Sequence, residues 1–149
     1  MRKAYLLLLG LMAGVAATAS FAQDATVFGD KLGTIPVANT NRAQVAGTGY
    51  VTANLSGNSL TITGEFEGLT GPATGVGVYA GKLAELGATE VTVLEADAAE
   101  AGSFSGTIEL DDAQQQILQD SGFYVVVQTE PNPTGEIRAW LVAGNTPNG

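Results

Sequence analysis

The stretch FYVVVQTEPNPTGEIRAWL, residues 123–141, decides the fold. Phe123 to Val127 is an unbroken run of β-formers, the pattern of a central strand buried on both faces. Glu130-Pro131-Asn132-Pro133-Thr134-Gly135 must turn, because prolines cannot donate to a ladder and glycine loosens it. The chain then returns as a partner strand, Glu136–Val142, with Ile137, Ala139 and Leu141 directed inward. Residues two apart on a strand share a face, so Glu136, Arg138 and Trp140 are expected to project together on the other side.

Immediately upstream the period changes. Asp111 is a good N-cap, and Gln114 stands three residues on, as a capping box requires. Ala113, Ile117 and Leu118 follow at helical spacing, and Gly122 is placed to end this short helix in a left-handed cap. Before the helix, alternation dominates. SFSGTIEL (103–110) sets Phe104, Gly106, Ile108 and Leu110 against Ser103, Ser105, Thr107 and Glu109. TEVTVLE (89–95) sets Thr89, Val91 and Val93 against Glu90, Thr92 and Leu94. Val76–Ala80 is a short strand, and 81–88 is a small-residue loop. SLTITGEFEG (59–68) directs Leu60, Ile62 and Phe66 one way and Ser59, Thr61, Thr63, Glu65 and Glu67 the other. With VAGTGYVTANL (45–55) and the turn Ser56-Gly57-Asn58 it predicts a hairpin over 45–68. Residues 23–43 carry mixed signals and read as a short strand or extended arm followed by a loop. The whole predicts an all-β domain, a β-sandwich or Greek-key barrel of about seven or eight antiparallel strands with one short helix.

Composition narrows the chemistry. The chain has 149 residues, 45% of them hydrophobic, with 20 Gly, no Cys and no His. Disulfides are excluded, as are zinc's usual ligands, a thiol nucleophile and the commonest general base. Residues 1–22 open on Arg2 and Lys3, run apolar from Ala4 to Ala19 and close on Ser20-Phe21-Ala22. This is the pattern of a cleaved secretory signal peptide, the other reading being an uncleaved N-terminal anchor. The plan that follows is a signal peptide at 1–22, an N-terminal arm at 23–42, a β domain at 43–143 and a flexible tail at 144–149. Losing Arg2 and Lys3 leaves four basic residues against fifteen acidic ones, a net charge of −11. Such a surface repels phosphate backbones and anionic lipid, so neither a nucleic-acid partner nor membrane insertion after signal cleavage is expected. It suits a solvated surface, or one that attracts cations or a basic partner.

The C-terminal block resembles the CHRD domain, the module named after chordin. The matching residues are Leu118, Gly122, Tyr124, Val125, Val127, Thr129, Pro133, Gly135, Glu136, Ile137 and Arg138. Upstream, Gly68-Leu69 followed by VGVYAG (76–81) is similar to a second family segment, and the resemblance spans roughly 43–142. It implies an exported β module that binds protein. The family pattern carries His at three positions that fall here on Gly77, Tyr79 and Gln128. Any metal or proton-handling role of those imidazoles is therefore not available to this chain through His.

Candidate residues remain open between function and structure. Glu136, Arg138 and Trp140 could form a recognition patch, with a planar guanidinium beside an aromatic surface. Alternatively Arg138 pairs with a carboxylate and lies on an aromatic, fixing the last hairpin. Glu90, Glu95, Asp97 and Glu100 surround the acidic loop 95–100, which could hold Ca²⁺ but lacks D-x-D-x-D-G spacing. Tyr79 and Gln128 could line a polar pocket or bond to neighbouring strands. Glu65 and Glu67 share one strand face, where alternation places solvent rather than a catalytic pocket. No catalytic, cofactor-binding or metal residue is assigned. The expected function is an exported, non-catalytic module that binds a protein partner or self-associates. A cation-assisted adhesive protein is the alternative, and a hydrolase or redox enzyme a further one.

Overall fold

Strand alternation builds a closed wall. The computed structural model describes residues 26–36, 44–82 and 89–146. The signal segment 1–22 lies outside the described residues, as do most of the 81–88 loop, part of the expected arm and the last three residues of the tail. The elements are β1 (Thr26–Thr34), β2 (Thr48–Ser56), β3 (Ser59–Glu67), β4 (Ala73–Ala80), β5 (Thr89–Ala96), β6 (Gly102–Glu109), α1 (Asp112–Gln119), β7 (Phe123–Thr129), β8 (Ile137–Trp140) and β9 (Val142–Ala143). All strand pairings are antiparallel. The order β2-β3-β6-β5-β4-β7-β8-β1 closes on itself through β1 and β2, and β9 adds to β1. The architecture is the all-β barrel expected, eight strands in the wall plus one extra, with a single short helix.

Of the two readings of the N-terminal segment, a short strand or an extended arm, the structure shows a strand, and it is part of the wall. β1 pairs with β2 from Thr26↔Leu55 to Leu32↔Gly49, then crosses to β8 through Gly33↔Arg138 and Thr34↔Ile137. Its inner face reads poorly in the sequence because the half-buried Asp30 stands between Phe28 and Leu32, which share that face and are both buried. The wall is loosest between β5 and β6, which pair only at Glu95↔Ser105 and Ala96↔Phe104.

The core is side chain throughout. Phe28, Leu60, Ile62, Val76, Val78, Leu118, Phe123, Val125, Ile137 and Leu141 are all essentially inaccessible. Burying each large apolar side chain contributes about 1.5–3 kcal/mol, which is the main driving force in a chain without disulfides. All five residues of Phe123–Val127 are buried, as the uninterrupted run predicted. α1 begins at Asp111 with the expected capping box. Its end differs from expectation: Ser121, not Gly122, takes the left-handed conformation, at φ 57°. Gly122 is needed instead for close approach, because a Cβ there would strike the Gly81 carbonyl, whose own N–H donates to Gly122 at 2.8 Å.

β5 also departs from simple alternation. The register slips between Val78 and Tyr79, where Val78 pairs with Thr92 and Tyr79 with Glu90. Leu94 is buried and Val93 stands 59% exposed, and beyond the slip Glu90 shares the outer face with Val93, which simple alternation had set on opposite sides. On the other side of the barrel, Gly64 lies between Val51 and Phe104, and a Cβ there would meet the Phe104 ring and the Tyr50 carbonyl. Gly64→Ala should therefore destabilise the fold by about 1–3 kcal/mol, the usual cost of overpacking. Denaturant unfolding of the purified protein tests this, and an unchanged midpoint would refute it.

Candidate functional site

Two features on one sheet carry the chemistry. The first is Glu136, expected to share a face with Arg138 and Trp140. The strand begins only at Ile137, and Glu136 sits just before it with 0% of its surface exposed. Its Oε1 accepts from the Ala46 N–H at 3.1 Å and the Thr70 N–H at 2.8 Å. Its Oε2 accepts from Thr70 Oγ1 at 2.9 Å, Thr129 Oγ1 at 2.6 Å and Asn132 Nδ2 at 3.1 Å. Burial pushes this carboxyl up, but the bonds from Thr129, Thr70 and Ala46 outweigh it and hold the group below its ordinary value. A carboxylate so fully donated to can keep its charge out of water. Glu136 thus ties the segment before β2, the β3–β4 loop, the end of β7 and the turn before β8 at one end of the barrel. The sequence shows nothing of this, because the donors lie up to 90 residues away. The available sign was a lone acid at the exit of a Pro-rich turn.

The second feature is an aromatic row on the outer wall. Tyr79 on β4 pairs with Tyr124 on β7, and Tyr124 with Trp140 on β8. The Tyr79 and Tyr124 rings stack at 5.2 Å between centroids, and Trp140 tilts onto Tyr124 at 4.7 Å. The Arg138 guanidinium lies 5.9 Å from the Tyr124 centroid and 6.0 Å from that of Trp140. Arg138 and Trp140 are half-buried, so they remain a surface pair while Glu136 is separated from them. Of the two contacts expected for Arg138, the aromatic one is what the structure supplies.

Gly77, Tyr79 and Gln128, the three positions where the family pattern carries His, converge beside this row. The Tyr79 ring lies over Gly77, where an added Cβ would come within 2.7 Å of Cε2. The Tyr79 hydroxyl donates to Glu90 Oε2 at 3.1 Å and accepts from Gln128 Nε2 at 3.3 Å. Burial, followed by the Glu90 contact, raises the Tyr79 phenol above its ordinary value, so it stays protonated at neutral pH. The polar contacts join strands β5, β4 and β7.

The remaining candidates lie elsewhere. Asp97 turns its carboxylate back to the Ser103 N–H at 2.8 Å and Ser103 Oγ at 3.1 Å, bonds that lower its pKa. The acidic loop 95–100 thereby ties down its own ends. Glu65 and Glu67 border an open cleft of about 520 Å³ together with Tyr50, Phe66, Gly102 and Ser103. There Glu65 accepts from the Tyr50 hydroxyl, raising that phenol. Among the described residues no group of three or more Asp, Glu, His or Cys could hold a metal ion, and no helix is long and apolar enough to cross a membrane.

The molecule is thus a closed antiparallel barrel with a filled interior, a buried carboxylate at one end and an aromatic row on the outer wall. A model of the CHRD domain matches residues 25–141, and the chain belongs to that family of non-catalytic domains. The match takes in β1, which the resemblance in the sequence, starting near residue 43, did not. No curated protein and no solved structure matches the chain.

Two substitutions test these assignments. Glu136→Gln exchanges one acceptor oxygen for an NH₂ that must face existing donors, and should cost about 3 kcal/mol or more. Because the native carboxyl is held below its unfolded value, its stabilisation is present above the ordinary carboxylate range and lost as pH falls through the native value. Denaturant midpoints followed from neutral to acid pH should fall for the wild type and fall less steeply for Glu136→Gln. Arg138→Ala removes two cation–π contacts and should cost about 1 kcal/mol, read as a lower melting temperature. A wild-type melting curve would contradict the structural part of its role.

Proposed function

We propose that this protein is an exported, non-catalytic CHRD module that recognises a protein partner through the outer face of β4, β7 and β8. The observation that carries this reading is the half-buried cluster of Arg138 and Trp140 on Tyr124 and Tyr79, on the outside of a barrel whose interior is filled. Arg, Trp and Tyr are the residue types in which interface binding energy concentrates. On an acid-rich surface they mark a place where rigid, weakly hydrated groups meet solvent.

Chemistry argues against catalysis. Histidine and cysteine are lacking, Tyr79 is held protonated, and Glu136, the one fully buried carboxylate among the described residues, spends both oxygens on structural donors. Export rests on the signal-like segment 1–22, and periplasm, cell surface or medium all fit it.

Crosslinking the tagged protein in its native envelope, with peptide-level mapping, tests the reading. Crosslinks should concentrate on β4, β7 and β8, and Arg138→Ala or Trp140→Ala should reduce capture several-fold. Crosslinks confined to other faces, or unaffected by both variants, would overturn it.

A further inference from the structure

The outer wall carries opposite charges at its two edges. On one edge, β5 presents Glu90 and Glu95, both exposed, on either side of Val93. Val93 is the large apolar side chain left exposed among the described residues. On the other edge, β8 presents Arg138. The register aligns them in rows. Val93, Gly77, Val126 and Arg138 form one row, and Glu90, Tyr79, Tyr124 and Trp140 the next.

We infer that this face pairs with the same face of a second copy of the chain, β5 of one lying over β8 of the other. The inference rests on the binding face proposed above and names its occupant. A two-fold axis parallel to the strands, between β4 and β7, exchanges β5 with β8 and β4 with β7 and keeps each row on itself. Interfaces of this kind are isologous, so every contact occurs twice. Arg138 then lies over Val93 of the second copy, with Glu90 and Glu95 one row away on either side. A row is two residues, about 7 Å along a strand, which a guanidinium on its flexible stem can span. Trp140 covers Glu90 of the second copy from its apolar side, and Tyr79 meets Tyr124. The complementarity of acidic edge to basic edge answers the repulsion expected between two chains of net charge −9 or below.

The size of the face sets the strength. Four strands about 4.8 Å apart and a few rows deep offer on the order of 400 Å² per copy. This is below the roughly 800 Å² per partner of a standard stable interface. The pair is therefore reversible and concentration-dependent, suited to a component present at high local density.

Sedimentation velocity of the purified full chain over a wide concentration range tests this. The wild type should show a monomer–dimer equilibrium. Val93→Arg, at an exposed position that leaves folding intact, should weaken it about tenfold or more by opposing Arg138 of the second copy. Arg138→Glu and Glu90→Arg should each weaken self-association, and an equimolar mixture of the two should recover much of it, because the swapped charges meet across the axis. A monomer at every concentration, or a dimer indifferent to Val93→Arg, overturns the inference. A photo-crosslinker at position 93 separates the two readings. If the chain is monomeric and the probe captures a different protein, the second copy is ruled out and the binding face stands. If the probe captures neither, the second copy is overturned, and loss of capture by Arg138→Ala or Trp140→Ala alone decides the binding face.

Discussion

One buried negative charge organises an end of this barrel. Glu136 is inaccessible to water, and five donors from four segments of chain close on its two oxygens. A carboxylate taken out of water is costly unless each lone pair finds a donor. Here the donors are backbone amides, two threonine hydroxyls and an asparagine amide, none of which can itself bring a compensating full charge. The arrangement therefore works through geometry: each loop must be in place for the charge to be tolerated, and the charge in place holds each loop. That reciprocity explains why the turn before β8 is built of residues that fix direction. Thr129 and Asn132 bond each other's backbone as well as the carboxylate, and Gly135 adopts φ +127° against Val126.

With the ends fixed, the wall is free to carry surface chemistry. Core positions admit little variation, since their side chains fill the interior. The outer positions of β4, β7 and β8 are bounded only by one another. Tyr79 has settled over Gly77 and reached Gln128 and Glu90, and Tyr124 is sandwiched between Tyr79 and Trp140. The three positions where imidazoles would stand are thus one place, occupied here by a phenol and an amide hydrogen-bonded to each other. That substitution keeps the strands joined while leaving no titratable nitrogen.

Elements governed by local pattern were legible from the sequence. The alternation of Leu60, Ile62 and Phe66, the apolar run of Phe123–Val127, and Asp111 with Gln114 translate directly into β3, β7 and the start of α1. Where distant pairing decides the outcome, the pattern misleads. β1 read only as a short strand or an arm, and its passage from one partner to another along its length was not legible. Glu90 and Val93 came to share a face through a register slip that only the neighbouring strand reveals. Glu136 has the spacing of a surface residue and the surroundings of a core one, since loops from far along the chain fold over it. The candidate site was half legible: Arg138 and Trp140 were placed together by spacing alone, whereas their support by Tyr79 and Tyr124 depends on strand order.

The closing strand has a consequence in time rather than in space. β1 comes early in the chain, yet it is completed by β8 and β9 at the other end, where Asn145 reaches Asp30 across 115 residues. No barrel can form until the last strand is available, and folds dominated by such distant contacts form slowly. A polypeptide that cannot shut prematurely stays threadable until β8 and β9 have been made. For a chain proposed to be exported, the order of its strands is itself a safeguard.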